Sequence, residues 1–133
     1  MKSRDTLIRL KRFQVDEKRR KVAQIEMMIA EFDRMAADLD REIAAEEQKA
    51  GITDPNHFAY PTYARAAAQR RDNLRQSAQN LHAQLDDAKA ELGEAFEELK
   101  KAESLEDRER SGERSMDAAI SQIGQPRALR ASA

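Results

Sequence analysis

Between Ser3 and Lys49 the sequence contains no glycine and no proline. Between Thr62 and Arg108 it contains only Gly93. Glycine and proline are the residues that most readily stop a helix, so two segments of about 47 residues each are left with nothing to interrupt them. The punctuation gathers in 51–61, at Gly51, Pro55 and Pro61, and near the end of the chain, at Gly112, Gly124 and Pro126. Gly51 suits a helix C-cap and Asp54-Pro55 suits an N-cap with a first-turn proline, with Pro61 ending any short turn begun there. The pattern predicts helices over about 3–50 and 62–108, with a turn at 51–61.

Apolar periodicity says what these helices do. In the first, Ile8, Val15, Val22, Ile29, Ala36, Ile43 and Ala50 recur every seven residues. The interleaved positions are Lys11, Lys18, Ile25, Phe32, Leu39 and Glu46, so the seam is continuously apolar from Val22 to Ile43. In the second, Ala67, Arg71, Leu74, Ala78, Leu81, Leu85, Ala88, Leu92, Ala95, Leu99 and Ala102 form the seam, and only Arg71 is polar. Heptads sustained this long argue a coiled coil.

Charge distinguishes a partner within the chain from a second chain. Residues 1–21 carry net +6, residues 22–50 net -5, residues 63–85 net +3 and residues 86–109 net -6. Folding back at 51–61 lays each block beside its opposite, whereas a parallel homodimer would lay like beside like. β-Branched Ile and Val on one seam also complement alternating Leu and Ala on the other. The fold class predicted is all-α: a long two-helix antiparallel coiled-coil hairpin over 1–109. A mobile tail is expected over 110–133, in which Met116, Ala119, Ile120 and Ile123 stand at helical spacing after Ser115, a candidate N-cap.

Composition excludes several kinds of chemistry. There is no cysteine and there are only four glycines, so thiolate metal sites, disulfide scaffolds, cysteine nucleophiles and glycine-rich phosphate loops are ruled out. His82 and Asp86 stand four apart, a spacing that can share a metal, but no second ligand pair accompanies them. Carboxylates on solvated helix faces lack the dry pocket that tunes a catalytic acid or base, so no enzyme and no cofactor are expected. No apolar run approaches the ~18 residues of a membrane span. The opening residues run into charged helix, which leads to the expectation of a cytoplasmic protein, at most peripheral to a membrane.

Several residues off the seam are candidates for partner contact. Leu10 and Phe13 fall at outward heptad positions that a two-helix hairpin does not cover, as does Met27, while Met28 and Met35 flank the seam. Arg9, Arg12, Arg19 and Arg20 surround Leu10 and Phe13 along the helix. With Lys11, Lys18 and Lys21 they form a basic block that can track phosphates, and the intermixed Leu10 and Phe13 also permit a membrane-surface reading. Acidic residues of the second helix should cancel its field, so pairing within the hairpin outweighs nucleic acid. Phe58, Tyr60 and Tyr63, half of the six aromatics, gather at the turn, either as a plug for the hairpin or as a binding tip.

The order of these features resembles the flagellar export protein FliJ family, the coiled-coil stalk of the flagellar type III secretion ATPase. The opening Leu7-Ile8-Arg9-Leu10-Lys11-Arg12-Phe13-Gln14-Val15-Asp16-Glu17-Lys18 is similar to that family's start. Leu99-Lys100-Lys101-Ala102-Glu103-Ser104-Leu105-Glu106-Asp107-Arg108 resembles its second-helix pattern, and Met116-Asp117-Ala118-Ala119 stands where an Asp-Glu-x-Ala element often occurs, with Ala118 in place of the Glu. The resemblance covers nearly the whole chain. It implies a non-catalytic cytoplasmic protein at the base of the flagellar export apparatus. The partners implied are the export ATPase ring, the cytoplasmic domain of the export gate, and export chaperones. It also implies that the end carrying both termini, with Leu10, Phe13, Arg9, Arg12, Arg19 and Arg20, faces the ring, leaving Phe58, Tyr60 and Tyr63 at the other end.

Overall fold

The computed structural model describes residues 2–123; residues 124–133, part of the segment expected to be a tail, lie outside the described residues. Two helices, α1 (Lys2–Ala50) and α2 (Thr62–Ile123), pack against each other as an all-α hairpin. The chain divides into two compact units, one of residues 16–93 and one of residues 1–15 with 94–133.

The 16–93 unit contains the turn and two apolar clusters. Val22, Ile25 and Ile29 of α1 pack with Leu81, Leu85 and Ala88 of α2, and Phe32 and Leu92 lean on this cluster. Nearer the turn, Ile43, Tyr60, Ala64 and Ala67 form a second cluster, joined by Leu39, Ile52 and Ala68. All but Ala68, which adjoins the seam residue Ala67, are seam residues or lie at the turn. The alanines are buried as deeply as the leucines: Ala64 is 0% and Ala88 1% exposed, against 8% for Leu81 and 6% for Leu85. A side chain of one carbon lets two helix backbones come close, so alanine is enclosed by the approach it permits. Leu74 and Leu92 stay half-buried, because one facing helix cannot wrap a longer side chain.

Arg71 interrupts this seam and is satisfied in place. Its guanidinium donates to Asp40 at 2.9 Å and to Asp72 at 3.0–3.1 Å, and Arg75 also donates to Asp40. The hydrogen bond from Arg71, the largest effect, outweighs burial and, with the charges of Arg75 and Arg71, holds the Asp40 carboxyl below its ordinary value. A polar residue at a seam position sets register, because sliding either helix would strand it among apolar neighbours. Farther from the turn, Lys18 and Lys21 both donate to Glu91, at 3.0 and 3.4 Å, and lower its pKa, Lys18 having the larger effect.

The turn departs from the expected cap in detail. Gly51 takes φ +70°, and its N–H donates to the Glu47 carbonyl at 2.9 Å, closing α1 as a left-handed C-cap should. No helix starts at Pro55. The Asp54 carboxylate instead accepts from the Asn56 N–H at 2.9 Å, and its carbonyl accepts from the His57 N–H at 3.0 Å. A second turn follows, with the Tyr60 N–H on the His57 carbonyl at 3.0 Å. Asp54 thus caps a turn, a local bond that competes with helix initiation. Pro61 immediately precedes α2, and its carbonyl accepts the first helical bond, from the Arg65 N–H at 3.1 Å.

In the unit of residues 1–15 and 94–133, Ile8 and Val15 of α1 and Ala95 and Ala102 of α2 are buried, again seven apart. Lys11 donates to Glu98 at 2.8 Å, Arg12 to Glu103 at 3.4 Å, and Arg4 pairs with Glu109. Lys11 lowers the pKa of Glu98 through that hydrogen bond and its charge. Here α2 differs from the expectation of a stop near 108: it continues to Ile123. Gly112 costs helix only about 1 kcal/mol and does not terminate it, and no proline intervenes before Pro126. Ser115 therefore sits inside a helix rather than at its start.

Leu85 is 6% exposed at the centre of its cluster. Leu85→Ala should cost about 2–4 kcal/mol, read as a lower midpoint in thermal or urea unfolding followed by circular dichroism. The pH dependence has a defined sign. Asp40, Glu91 and Glu98 have folded pKa values below their ordinary 3.8, 4.5 and 4.5. Their stabilisation is complete above those ordinary values and is lost as pH falls through the lowered ones. The melting temperature should fall on acidification below pH 4.5, and Asp40→Asn should flatten the lowest part of that curve.

Candidate interaction surfaces

The seam consumes one face of each helix, and function must use what it leaves over. In the 1–15/94–133 unit, α1 presents Leu7, Leu10 and Phe13, which are 42%, 49% and 53% exposed. They stand three apart, so at 100° per residue they fan over about 120° of the helix surface beside the seam. Arg9 and Arg12 lie among them and are exposed, Arg12 reaching Glu103 and Arg9 making no ion pair among the described residues. On α2 of the same unit, Leu105, Met116 and Ile120 are more than half exposed. Leu105 and Leu7 were not singled out from the sequence; Leu7 adjoins the buried Ile8 and Leu105 stands three residues beyond the buried Ala102, and only the facing helix shows that they stay uncovered.

The same unit carries an open trough of about 380 Å³ whose walls include Asp5, Arg9 and Arg12 of α1 and Glu103, Glu106 and Arg110 of α2. Charges of both signs line it, and Arg110 pairs with Glu106. It is an ion-pair surface rather than an enclosed apolar site.

Arg19 and Arg20 belong to the 16–93 unit. Both are exposed, and Arg19 stands 3.9 Å from Asp16 on its own helix. Much of the basic block is thus matched by carboxylates: Arg4, Lys11, Arg12, Lys18, Arg19 and Lys21 all have acidic partners.

The three turn aromatics take different roles. Tyr60 is 6% exposed, packs in the second cluster, donates its hydroxyl to Glu47 at 3.0 Å and lies under the Arg65 guanidinium at 5.7 Å. Desolvation and then the Glu47 hydrogen bond push its hydroxyl pKa up. It is the plug of the turn and offers little surface to a partner. Phe58 is 96% exposed and stacks on His57, at 4.7 Å between ring centres. His57 is itself held by accepting the Ala59 N–H on Nδ1 at 3.0 Å. Tyr63 is half exposed and donates its hydroxyl to Glu42 at 2.8 Å, which raises its pKa. Phe58 and Tyr63 therefore remain candidate contacts, while Tyr60 serves the fold.

No group of three or more metal-ligating side chains occurs among the described residues, and no described helix is long and apolar enough to cross a membrane. The class these features define is an all-α helical hairpin with uncovered apolar faces. No protein-family model, curated protein or solved structure matches the chain.

The division among the turn aromatics is measurable. Tyr60→Ala removes a buried ring and should cost about 3 kcal/mol of stability. Phe58→Ala should stay within about 0.5 kcal/mol of the parent in the same denaturation experiment.

Proposed function

We propose that this protein is a non-catalytic coiled-coil component of the flagellar type III export apparatus, acting as stalk and activator of the export ATPase ring. In this reading it links the ring to the export gate and to export chaperones, and works in the cytoplasm at the base of the apparatus. The observation that carries the reading is the exposed Leu7–Leu10–Phe13 face of α1, which the hairpin leaves uncovered, joined to the resemblance of the chain's order of motifs to the FliJ family. An apolar centre bordered by Arg9 and Arg12 suits a groove with apolar walls and acidic edges. The arginines steer approach and the apolar side chains supply contact. The internal pairing of the basic block supports protein over phosphate as the partner, because lysines and arginines held by carboxylates neutralise fewer phosphates.

Leu10→Asp with Phe13→Asp changes no seam position. The double variant should keep its helicity, with a midpoint shift of about 1 kcal/mol or less, and should lose stimulation of the export ATPase and motility. Full stimulation by the folded double variant overturns the assignment. Phe58→Asp should leave ATPase stimulation intact, because the turn contributes nothing to that contact.

A further inference from the structure

We propose that a face of α1 in the 16–93 unit binds a second copy of this chain, with the two α1 helices antiparallel about a two-fold axis near Phe32. The inference goes beyond the export reading and uses none of the residues that reading gives to the ATPase ring.

A two-helix hairpin needs one apolar seam on each helix. On α1 a second row adjoins the first: Ile25, Met28, Phe32, Met35 and Leu39 recur at alternating spacings of three and four. Ile25 is buried and Phe32 and Leu39 are half-buried against α2, so they belong to both rows. Met28 is 43% exposed, and Met27 beside it is 73% exposed. The apolar sector is therefore wider than one partner helix can cover, the pattern of a helix that packs against more than one neighbour. Its surface holds two hollows, one of about 370 Å³ around Met27, Met28 and Phe32, the other of about 230 Å³ around Met35, Leu39 and Tyr63.

The choice of a second copy rests on the row's own symmetry. With its ends included, it runs Lys21, Ile25, Met28, Phe32, Met35, Leu39, Glu42. Reversed and laid upon itself, it sets Lys21 against Glu42, Met28 against Met35 and Phe32 against Phe32, while Ile25 stays buried in the α1–α2 seam opposite the half-buried Leu39. Size matches size at the uncovered positions, and charge meets opposite charge at both ends, where within each chain Lys21 also lies 3.4 Å from Glu91 and Glu42 accepts from Tyr63 at 2.8 Å. A two-fold interface requires this self-complementarity, and an unrelated partner does not. The parallel arrangement would put Lys21 on Lys21 and Glu42 on Glu42. At the centre Arg34 donates to both oxygens of Glu31 at 2.7 Å, so each copy brings a neutral pair that can alternate with its equivalent. Methionine side chains adjust to a neighbour's shape, so Met28 and Met35 of one copy can fill the hollows around Met35 and Met28 of the other.

Sedimentation velocity on the full chain, from about 1 μM to about 1 mM, spans the range of weak specific association. The expected result is a mass rising from 15.1 kDa toward the dimer. Met27→Glu with Met28→Glu, at two exposed positions, should keep the circular dichroism of the parent and remain monomeric; Met27→Glu alone serves the same purpose if the double variant loses helix. Lys21→Glu should weaken association about tenfold, and adding Glu42→Lys should restore it. The chain has no cysteine, so orientation can be read directly. A mixture of Met28→Cys and Met35→Cys chains should form the mixed disulfide in preference to either symmetric one. A monomer throughout the range, an undiminished dimer in the folded glutamate variants, failure of the charge exchange to restore association, or a preference for the symmetric Met28→Cys disulfide would each overturn the proposal.

Discussion

The heptad seam is the constraint on which everything else in this molecule depends. Nearly every buried side chain belongs to it or to the turn that brings the helices together. Two helices enclose little space, so stability comes from close approach rather than from a thick core. Alanine at Ala64, Ala67, Ala78, Ala88, Ala95 and Ala102 permits that approach. Leucine and isoleucine supply the area where the two clusters of the 16–93 unit form. Burial at ~25 cal/mol per Å² makes each layer modest, and cooperation along the seam makes the total sufficient.

Electrostatics settles what the seam leaves open. A heptad pattern alone permits several registers and either orientation of a partner. The ion pairs of α1 with α2 are consistent with one antiparallel arrangement in each unit: Lys18 and Lys21 on Glu91 and Asp40 with Arg71 and Arg75 in one, Lys11 on Glu98 and Arg12 on Glu103 in the other. Exposed pairs of this kind add little stability individually. Their shared sign makes the alternatives worse, which is a contribution to specificity. The same pairing draws basic side chains away from outside partners and leaves the uncovered apolar side chains as the more distinctive surface. For that reason the functional reading rests on Leu7, Leu10 and Phe13 rather than on the arginines alone.

The sequence by itself determined the helix count, the place of the turn, the C-cap at Gly51 and the identity of the seam. These follow from local rules: which residues break helices, which tolerate positive φ, and which recur every three or four positions. Leu10, Phe13 and Met27 were also legible as outward positions, because heptad phase fixes direction once the seam is known, and all three are exposed. What only the tertiary structure decided is what faces each position. Phe58 and Tyr60 are two residues apart and chemically alike, yet one is exposed and the other buried, because only Tyr60 meets Ile43, Ala64 and Ala67. Asp54 closes a turn rather than starting a helix, since its carboxylate finds the Asn56 N–H first. The continuation of α2 to Ile123 was hidden for a related reason: glycine weakens a helix without forbidding it, and whether the helix passes Gly112 is a balance of small energies. Periodicity is written along one strand of chain, while burial belongs to two segments that meet, and only the folded molecule shows the meeting.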